Sequence, residues 1–132
     1  MLKRVLLCEQ DASVREAIGQ ALCSDFQIVS TADQTEALAQ CREREFDALL
    51  LDLSSRARNG SDVLQRFQAF RPGLPVIAMS ARAEQQDAIV GDPAVWAVLP
   101  KPLDFKFLTA TLNYITNTNK TKTQPGNASP AF

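Results

Sequence analysis

Short apolar runs alternate along the chain with longer stretches in which apolar residues recur three or four positions apart. The short runs indicate strands buried on both faces of a sheet. The longer stretches indicate amphipathic helices packed on that sheet. The predicted strands are residues 4–8, 26–30, 48–51, 76–79 and 95–99.

Each predicted strand is followed by a predicted helix. The first is expected to begin at Ser13, because Ser13 and Glu16 have the spacing of a capping box. The fourth is expected to be short, since residues 91–93 (Gly-Asp-Pro) interrupt it. The last is expected to be capped by Asp104 and to turn its apolar side chains inward, beginning with Phe105.

This alternation predicts an α/β fold in which a doubly wound parallel sheet carries helices on both faces. We expect residues 1–116 to form one domain and the polar residues 117–132 to form a tail or linker. The longest apolar runs have about five residues, too few to cross a membrane. We therefore expect a cytoplasmic protein without a membrane partner.

Composition removes several function classes. The net charge is −1 and the basic residues are dispersed, so we expect no nucleic acid bound by this chain itself. Histidine is absent, which excludes a Ser-His-Asp triad, a histidine metal site and a histidine phosphocarrier. The three cysteines, Cys8, Cys23 and Cys41, lack a metal-binding spacing and are interpreted as small buried hydrophobes.

Polar residues follow four of the predicted strands. Ligand sites in parallel sheets lie at the carboxyl ends of the strands, where these side chains would converge. Crowded carboxylates repel unless a cation lies between them, so we expect a hard divalent ion, most simply Mg²⁺. An aspartate beside such an ion and a lysine can attack a phosphoryl donor. The set consists of Glu9, Gln10, Asp11, Asp52, Ser80 and Lys101.

Each residue of this set also has an ordinary structural explanation. Asp52 could begin a loop or cap a helix, and Asp11 could be a capping residue. Ser80 could be a plain polar residue and Lys101 a solvated turn residue between two prolines. Their joint placement at four strand ends favours a functional site over these separate explanations.

Five segments, taken in order, closely resemble the receiver domain of bacterial response regulators, over roughly residues 3–116. The resemblance implies a flavodoxin-like sheet of order 2-1-3-4-5. It also implies a two-component phosphorelay protein that is modified by a sensor histidine kinase or a histidine phosphotransfer protein. Such a protein is a signalling phosphoacceptor and not an enzyme, and the family allows a homodimer. The segments are residues 5–11, 49–52, 59–60, 74–81 and 99–102.

The resemblance assigns a role to each matching residue. Asp52 matches the phosphoacceptor, Ser80 the switch hydroxyl and Lys101 the family lysine, with a cis peptide bond expected between Lys101 and Pro102. The Mg²⁺ ligands would be Glu9, Gln10, Asp52 and the backbone carbonyl of Ser54.

The sequence departs from the family pattern in three places. Gln10 is neutral where a second acid is usual, and a charge pair at about 4 Å is worth roughly 4 kcal/mol, so we expect weak Mg²⁺ binding. Val98 replaces the switch aromatic. Trp96, on the same strand face by period-two counting, is expected either to substitute for that ring or to serve in packing or partner contact. The segment from Ser80 to Lys101 is about one residue short, which suggests a nonstandard partner surface.

Two main functions remain open. One is a receiver that switches a partner or an attached output domain when Asp52 is phosphorylated. The other is a degenerate receiver that acts as a phosphorylation-independent interaction module, which the changes at Gln10 and Val98 favour. A dehalogenase-type phosphatase would need an acid at Ser54, and a flavin site would need a phosphate-binding loop where Glu9 stands.

Overall fold

Five parallel strands form the central sheet of the protein. The computed structural model describes residues 2–54 and 60–122. Within that part of the chain, the strand order is β2-β1-β3-β4-β5, which confirms the predicted doubly wound topology. The strands are β1 (Lys3–Cys8), β2 (Phe26–Thr31), β3 (Ala48–Asp52), β4 (Val76–Ser80) and β5 (Val95–Pro100).

A helix follows each strand, as the alternating pattern predicts. The fourth helix has only seven residues because Val90 leaves the helical conformation and Gly91 adopts a positive φ of 96°. The helices are α1 (Ala12–Leu22), α2 (Gln34–Glu43), α3 (Gly60–Phe70), α4 (Ala83–Ile89) and α5 (Phe105–Lys122). None of the helices described is long and apolar enough to cross a bilayer.

Buried side chains form one apolar cluster on each face of the sheet. Strands β3 and β4 are buried along their whole length, so alternate residues of each strand serve both clusters. The first cluster packs α2, α3 and α4 on one face, with Phe67 among its buried residues. The second packs α1 and α5 on the other face, with Leu112 among its buried residues.

Asp11, and not Ser13, caps α1. Its carboxylate accepts hydrogen bonds from the backbone N–H groups of Ser13 (2.8 Å) and Val14 (3.2 Å). The predicted capping box is therefore wrong, because the helix begins at Ala12 and Ser13 already lies in the first turn.

The cysteines differ in environment. Cys8 and Cys41 are buried as expected, and burial raises the pKa of Cys8 to about 12. Cys23 is exposed, so the prediction for it is wrong. It follows the last turn of α1, where its thiol lies 3.5 Å from the carbonyl of Gln20.

A β-bulge in β5 separates Trp96 from Val98. Val76 pairs with Val95 and the next residue, Ile77, pairs with Ala97, so the register between the two strands skips Trp96. The extra residue shifts the alternation of faces. Trp96 packs against the α1/α5 cluster and Val98 against the α2/α3/α4 cluster, so the prediction of a shared face is wrong.

The last helix agrees with its prediction in its cap and differs from it in two other respects. Asp104 caps the helix as expected, accepting a hydrogen bond from the N–H of Phe107 at 3.1 Å. Phe105 is 37% exposed and does not turn inward as expected, since it stands at the first position of the helix. The helix continues to Lys122, beyond the expected boundary at residue 116, and the division into domain and tail stays a prediction.

Candidate functional site

The carboxyl ends of β1, β3, β4 and β5 bring four predicted residues to one edge of the sheet. Backbone hydrogen bonds fix these ends: Leu53 donates to Met79 at 2.9 Å, and Lys101 donates to the carbonyl of Ser80 at 3.0 Å. Glu9, Asp52 and Ser80 are buried. The parallel register alone therefore delivers their side chains to a common, largely dehydrated site.

Lys101 joins the two acidic residues of the site. Its Nζ lies 2.9 Å from Oε1 and 3.0 Å from Oε2 of Glu9, and 3.1 Å from Oδ1 of Asp52. Burial alone would lower the pKa of Lys101, but the two carboxylates outweigh burial and raise it. The ammonium therefore stays charged and holds both carboxylates.

Asp52 is held in its ionised form. Burial alone would raise its pKa, but hydrogen bonds from Ser54 and Lys101 together lower it below the usual aspartate value. Ser54 donates twice, through its N–H to Oδ1 (3.0 Å) and through its hydroxyl to Oδ2 (2.6 Å). The result is a buried carboxylate that keeps its charge, as a nucleophile requires.

Glu9 has the opposite tendency. Burial raises the pKa of this carboxyl group, and the contact with Lys101 offsets only part of that rise. Oε2 accepts hydrogen bonds from Lys101 and from the N–H of Asp11 (3.1 Å). Oε1 is buried and forms an ion pair with Nζ of Lys101 at 2.9 Å.

Gln10 lies beside Asp52 and contacts it through its backbone. Its backbone N–H donates to Oδ2 of Asp52 at 3.3 Å, and the residue as a whole is exposed. The guanidinium of Arg15 holds this turn by donating to the carbonyls of Glu9 (2.8 Å) and Gln10 (3.4 Å). Arg15 has no recognisable sequence signal for this role.

The donor set fits a hard divalent cation in kind but is poor in charge. Two carboxylates, the Gln10 amide oxygen and the Ser54 carbonyl are oxygen ligands of the type Mg²⁺ prefers. Across residues 2–54 and 60–122, no group of three acidic, cysteine or histidine side chains converges on a metal position. The Asp11 carboxylate accepts hydrogen bonds from the first turn of α1, which it caps.

The Ser80 hydroxyl is engaged by α4. Its Oγ lies 2.6 Å from Oε1 of Gln85 and 3.1 Å from the carbonyl of Arg82, and it accepts a hydrogen bond from the N–H of Arg82 at 3.0 Å. Gln85 was not predicted as a site residue. Only the fold brings this helical glutamine to the end of β4.

The remaining predicted features are placed as follows. The Lys101–Pro102 peptide bond is cis, as expected. Val98 and Trp96 pack on opposite faces of β5, so Trp96 does not stand in for a ring at the Val98 position. Asn59, part of the predicted turn, lies outside the described residues.

Comparison with known proteins identifies the family. The family model described as response regulator receiver domain matches residues 5–113. The chain belongs to the response regulator receiver family. Proteins of this family are generally Mg²⁺-dependent and act in two-component systems with histidine kinases.

Curated relatives agree with this family. The chain is 30% identical over 106 residues to the DNA-binding transcriptional regulator NtrC of Bradyrhizobium, covering 79% of this chain and 22% of that protein. It is 33% identical over 92 residues to the DNA-binding response regulator MtrA of Mycobacterium tuberculosis, covering 69% and 40%. The matched part is thus less than half the length of either relative.

Solved structures show the same receiver fold. A CheY-like receiver domain from Methanospirillum hungatei superposes with a TM-score of 0.83 at 21% identity, covering 92% of this chain and 99% of the other. The receiver domain of the hybrid histidine kinase CckA gives a TM-score of 0.71 at 24% identity, covering 86% and 98%.

Proposed function

We propose that Asp52 accepts a phosphoryl group from a phosphohistidine on a sensor histidine kinase or a histidine phosphotransfer protein. The observation that carries this proposal is the 3.1 Å ion pair that joins the buried Asp52 to the partly buried Lys101. This ion pair keeps the Asp52 carboxylate charged at the carboxyl edge of the sheet, where it can attack a phosphoryl group carried by a partner protein.

The transfer needs no further reactant. An oxygen of Asp52 forms a bond to phosphorus while the phosphorus–nitrogen bond of the donor breaks, and its electron pair stays on the imidazole. Oδ2 is the expected nucleophile, since Oδ1 faces Lys101 and the exposed Ser54 can turn its hydroxyl away from Oδ2. Lys101 then offsets charge on the transferred oxygens.

Glu9, Gln10, Asp52 and the carbonyl of Ser54 would hold Mg²⁺ in this scheme. When bound, the cation supplies positive charge against the phosphoryl oxygens. The protein itself binds, orients and stabilises the phosphoryl group, and we propose that it acts as a signalling phosphoacceptor with no activity beyond phosphorylating and dephosphorylating itself.

We further propose that phosphorylation switches a partner or an attached output domain. The curated relatives carry the names of DNA-binding regulators, which supports control of transcription as the output. The net charge of −1 gives no support to DNA binding by this chain itself.

A degenerate receiver is the second candidate. The neutral Gln10 and the aliphatic Val98 favour it, since one weakens the cation site and the other removes the usual ring. In that case the chain would bind its partner without modification of Asp52.

Intact-mass measurement after incubation with acetyl phosphate and excess Mg²⁺ separates the two candidates. We expect wild type and Asp25→Asn, which alters an exposed loop acid, to gain the mass of one phosphoryl group. Asp52→Asn should gain none. Equal masses before and after incubation in wild type, also with a cognate kinase, would establish the degenerate receiver.

A further inference from the structure

The side chain of Gln85 bridges the ends of two strands. Its Oε1 accepts a hydrogen bond from the Ser80 hydroxyl at 2.6 Å, and its Nε2 donates to the carbonyl of Leu53 at 2.6 Å. Leu53 directly follows Asp52. One amide of α4 is therefore bonded to both strand ends that flank the proposed phosphorylation site.

A hydroxyl group has one proton to donate, and the Ser80 hydroxyl donates it to Oε1 of Gln85. The alternative acceptor, the carbonyl of Arg82, is 3.1 Å away and lies in the same turn. Ser80 is fully buried, and the hydrogen bonds that its hydroxyl can donate go to protein acceptors. A phosphoryl oxygen that binds this hydroxyl must compete with Gln85 for its proton.

We infer that Gln85 is a positioning residue that couples the state of Asp52 to helix α4; this inference rests on the proposed function. When the Ser80 hydroxyl turns to a phosphoryl oxygen, Oε1 of Gln85 loses its donor and α4 loses a tether to the sheet. Val98 offers no ring at the usual switch position, and the Gln85 amide supplies the connection between the hydroxyl and the helix.

Gln86 is a matched control on the same helix. Its Nε2 donates to the backbone carbonyl of Ser80 at 3.1 Å and does not touch the hydroxyl. Replacing Gln86 therefore removes a side-chain amide and one hydrogen bond between α4 and the sheet. The hydrogen bond from the Ser80 hydroxyl to Gln85 stays in place.

The test compares hydrogen exchange of residues 83–89 in wild type, Gln85→Ala and Gln86→Ala, with and without acetyl phosphate and Mg²⁺. Before phosphorylation, we expect α4 to exchange about tenfold faster in Gln85→Ala than in Gln86→Ala, because Gln85→Ala breaks two short bonds. Phosphorylation should accelerate exchange in wild type and Gln86→Ala but add less than twofold in Gln85→Ala.

A second readout is the rate of phosphorylation followed by intact mass. We expect Gln85→Ala to react about fivefold faster than wild type, since the hydroxyl is already released, and Gln86→Ala to stay within twofold. Gln85→Leu also removes both hydrogen bonds but keeps most of the side-chain volume. It should show the same faster rate as Gln85→Ala, and it replaces the alanine variant if that variant fails to fold.

The outcomes distinguish this inference from the proposed function. A mass gain in wild type without faster exchange in α4 would overturn the inference and leave the phosphoacceptor role intact. Equal exchange in unphosphorylated Gln85→Ala and Gln86→Ala would also overturn it. The absence of any mass gain in all chains would contradict both.

Discussion

The site has two halves that are held in different ways. At the ends of β1 and β3, two buried carboxylates face one ammonium, and the contacts of Lys101 with Glu9 and Asp52 are ionic. At the end of β4, the Ser80 hydroxyl is held by the neutral amide of Gln85. We call these the acidic half and the hydroxyl half.

The difference separates binding from response. Buried ionic contacts are costly to break, because an unpaired charge remains in a poorly solvated place. A hydroxyl–amide bond has a modest net free energy and can be exchanged for another acceptor. The acidic half is suited to bind a phosphoryl group. The hydroxyl half is suited to respond to it, because the Ser80 hydroxyl can exchange its hydrogen-bond acceptor.

The largest expected effect is on stability in the acidic half. Lys101→Met leaves Glu9 and Asp52 buried without their shared counter-ion, and we expect the free energy of unfolding to fall by about 3 kcal/mol. Urea unfolding without added divalent cation measures this loss. Lys106→Met, which removes an exposed lysine of α5, should change stability by less than about 0.5 kcal/mol. Equal stability of the two variants would show that the ion pairs are not strongly coupled to folding.

A substitution of Trp96 tests whether its indole ring, which lies in the β-bulge, takes part in the response of the hydroxyl half to phosphorylation. Trp96→Ala removes a partly buried indole from the α1/α5 cluster, and we expect the free energy of unfolding to fall by about 2 kcal/mol. The phosphorylation rate should stay within twofold of wild type, because the indole packs on the face opposite Val98. Phe107→Ala, at an exposed ring, controls for loss of aromatic area. A rate change of tenfold in Trp96→Ala would place the indole in the switch.

Gln10 tests the charge of the acidic half. Gln10→Asp restores a second acid beside Asp52, and we expect Mg²⁺ to bind at least tenfold more tightly, about 1.4 kcal/mol. Isothermal titration with MgCl₂ measures the affinity. Gln65→Asp adds the same charge at an exposed position of α3 and should leave the affinity unchanged within about twofold. If both variants bind alike, the residue at position 10 does not limit metal binding.

The smallest effect is a pH dependence from Glu9. Burial raises its pKa, so the folded chain binds this proton more tightly than the unfolded chain. Ionisation of Glu9 therefore costs stability as the pH rises from about 4.3, the usual glutamate value, through the higher folded pKa. The lowered pKa of Asp52 acts with opposite sign and stabilises the fold above the usual aspartate value.

A comparison of wild type with Glu9→Gln isolates the Glu9 contribution, because Asp52 is present in both chains. We expect the urea midpoint of wild type to decrease relative to that of the variant as the pH rises from about 4.3. A difference that is constant or grows in favour of wild type would contradict the raised pKa.

The sequence predicts the acidic half well because its residues follow strands directly. Once the apolar runs are recognised as parallel strands, Glu9, Asp52 and Lys101 must meet at one edge of the sheet. The sheet order followed from resemblance to the family, and the structure confirms it.

The hydroxyl half could not be predicted in the same way. Gln85 reaches Ser80 only because α4 packs over the end of β4, and nothing in the helical pattern distinguishes Gln85 from Gln86. The bulge at Trp96 also escapes period-two counting, since one extra residue in the strand inverts the faces of all that follow. Both features depend on tertiary contacts that a local pattern does not encode.

The same bulge has a consequence for association between copies of the chain. Within the described sheet, β5 is an outermost strand, and a flat outermost strand is a template for another copy to add to the sheet. An extra residue in such a strand increases its local twist, and Pro100 removes a backbone donor at its end. The irregularity at Trp96 therefore makes this edge a poorer template for another strand than a flat edge would be.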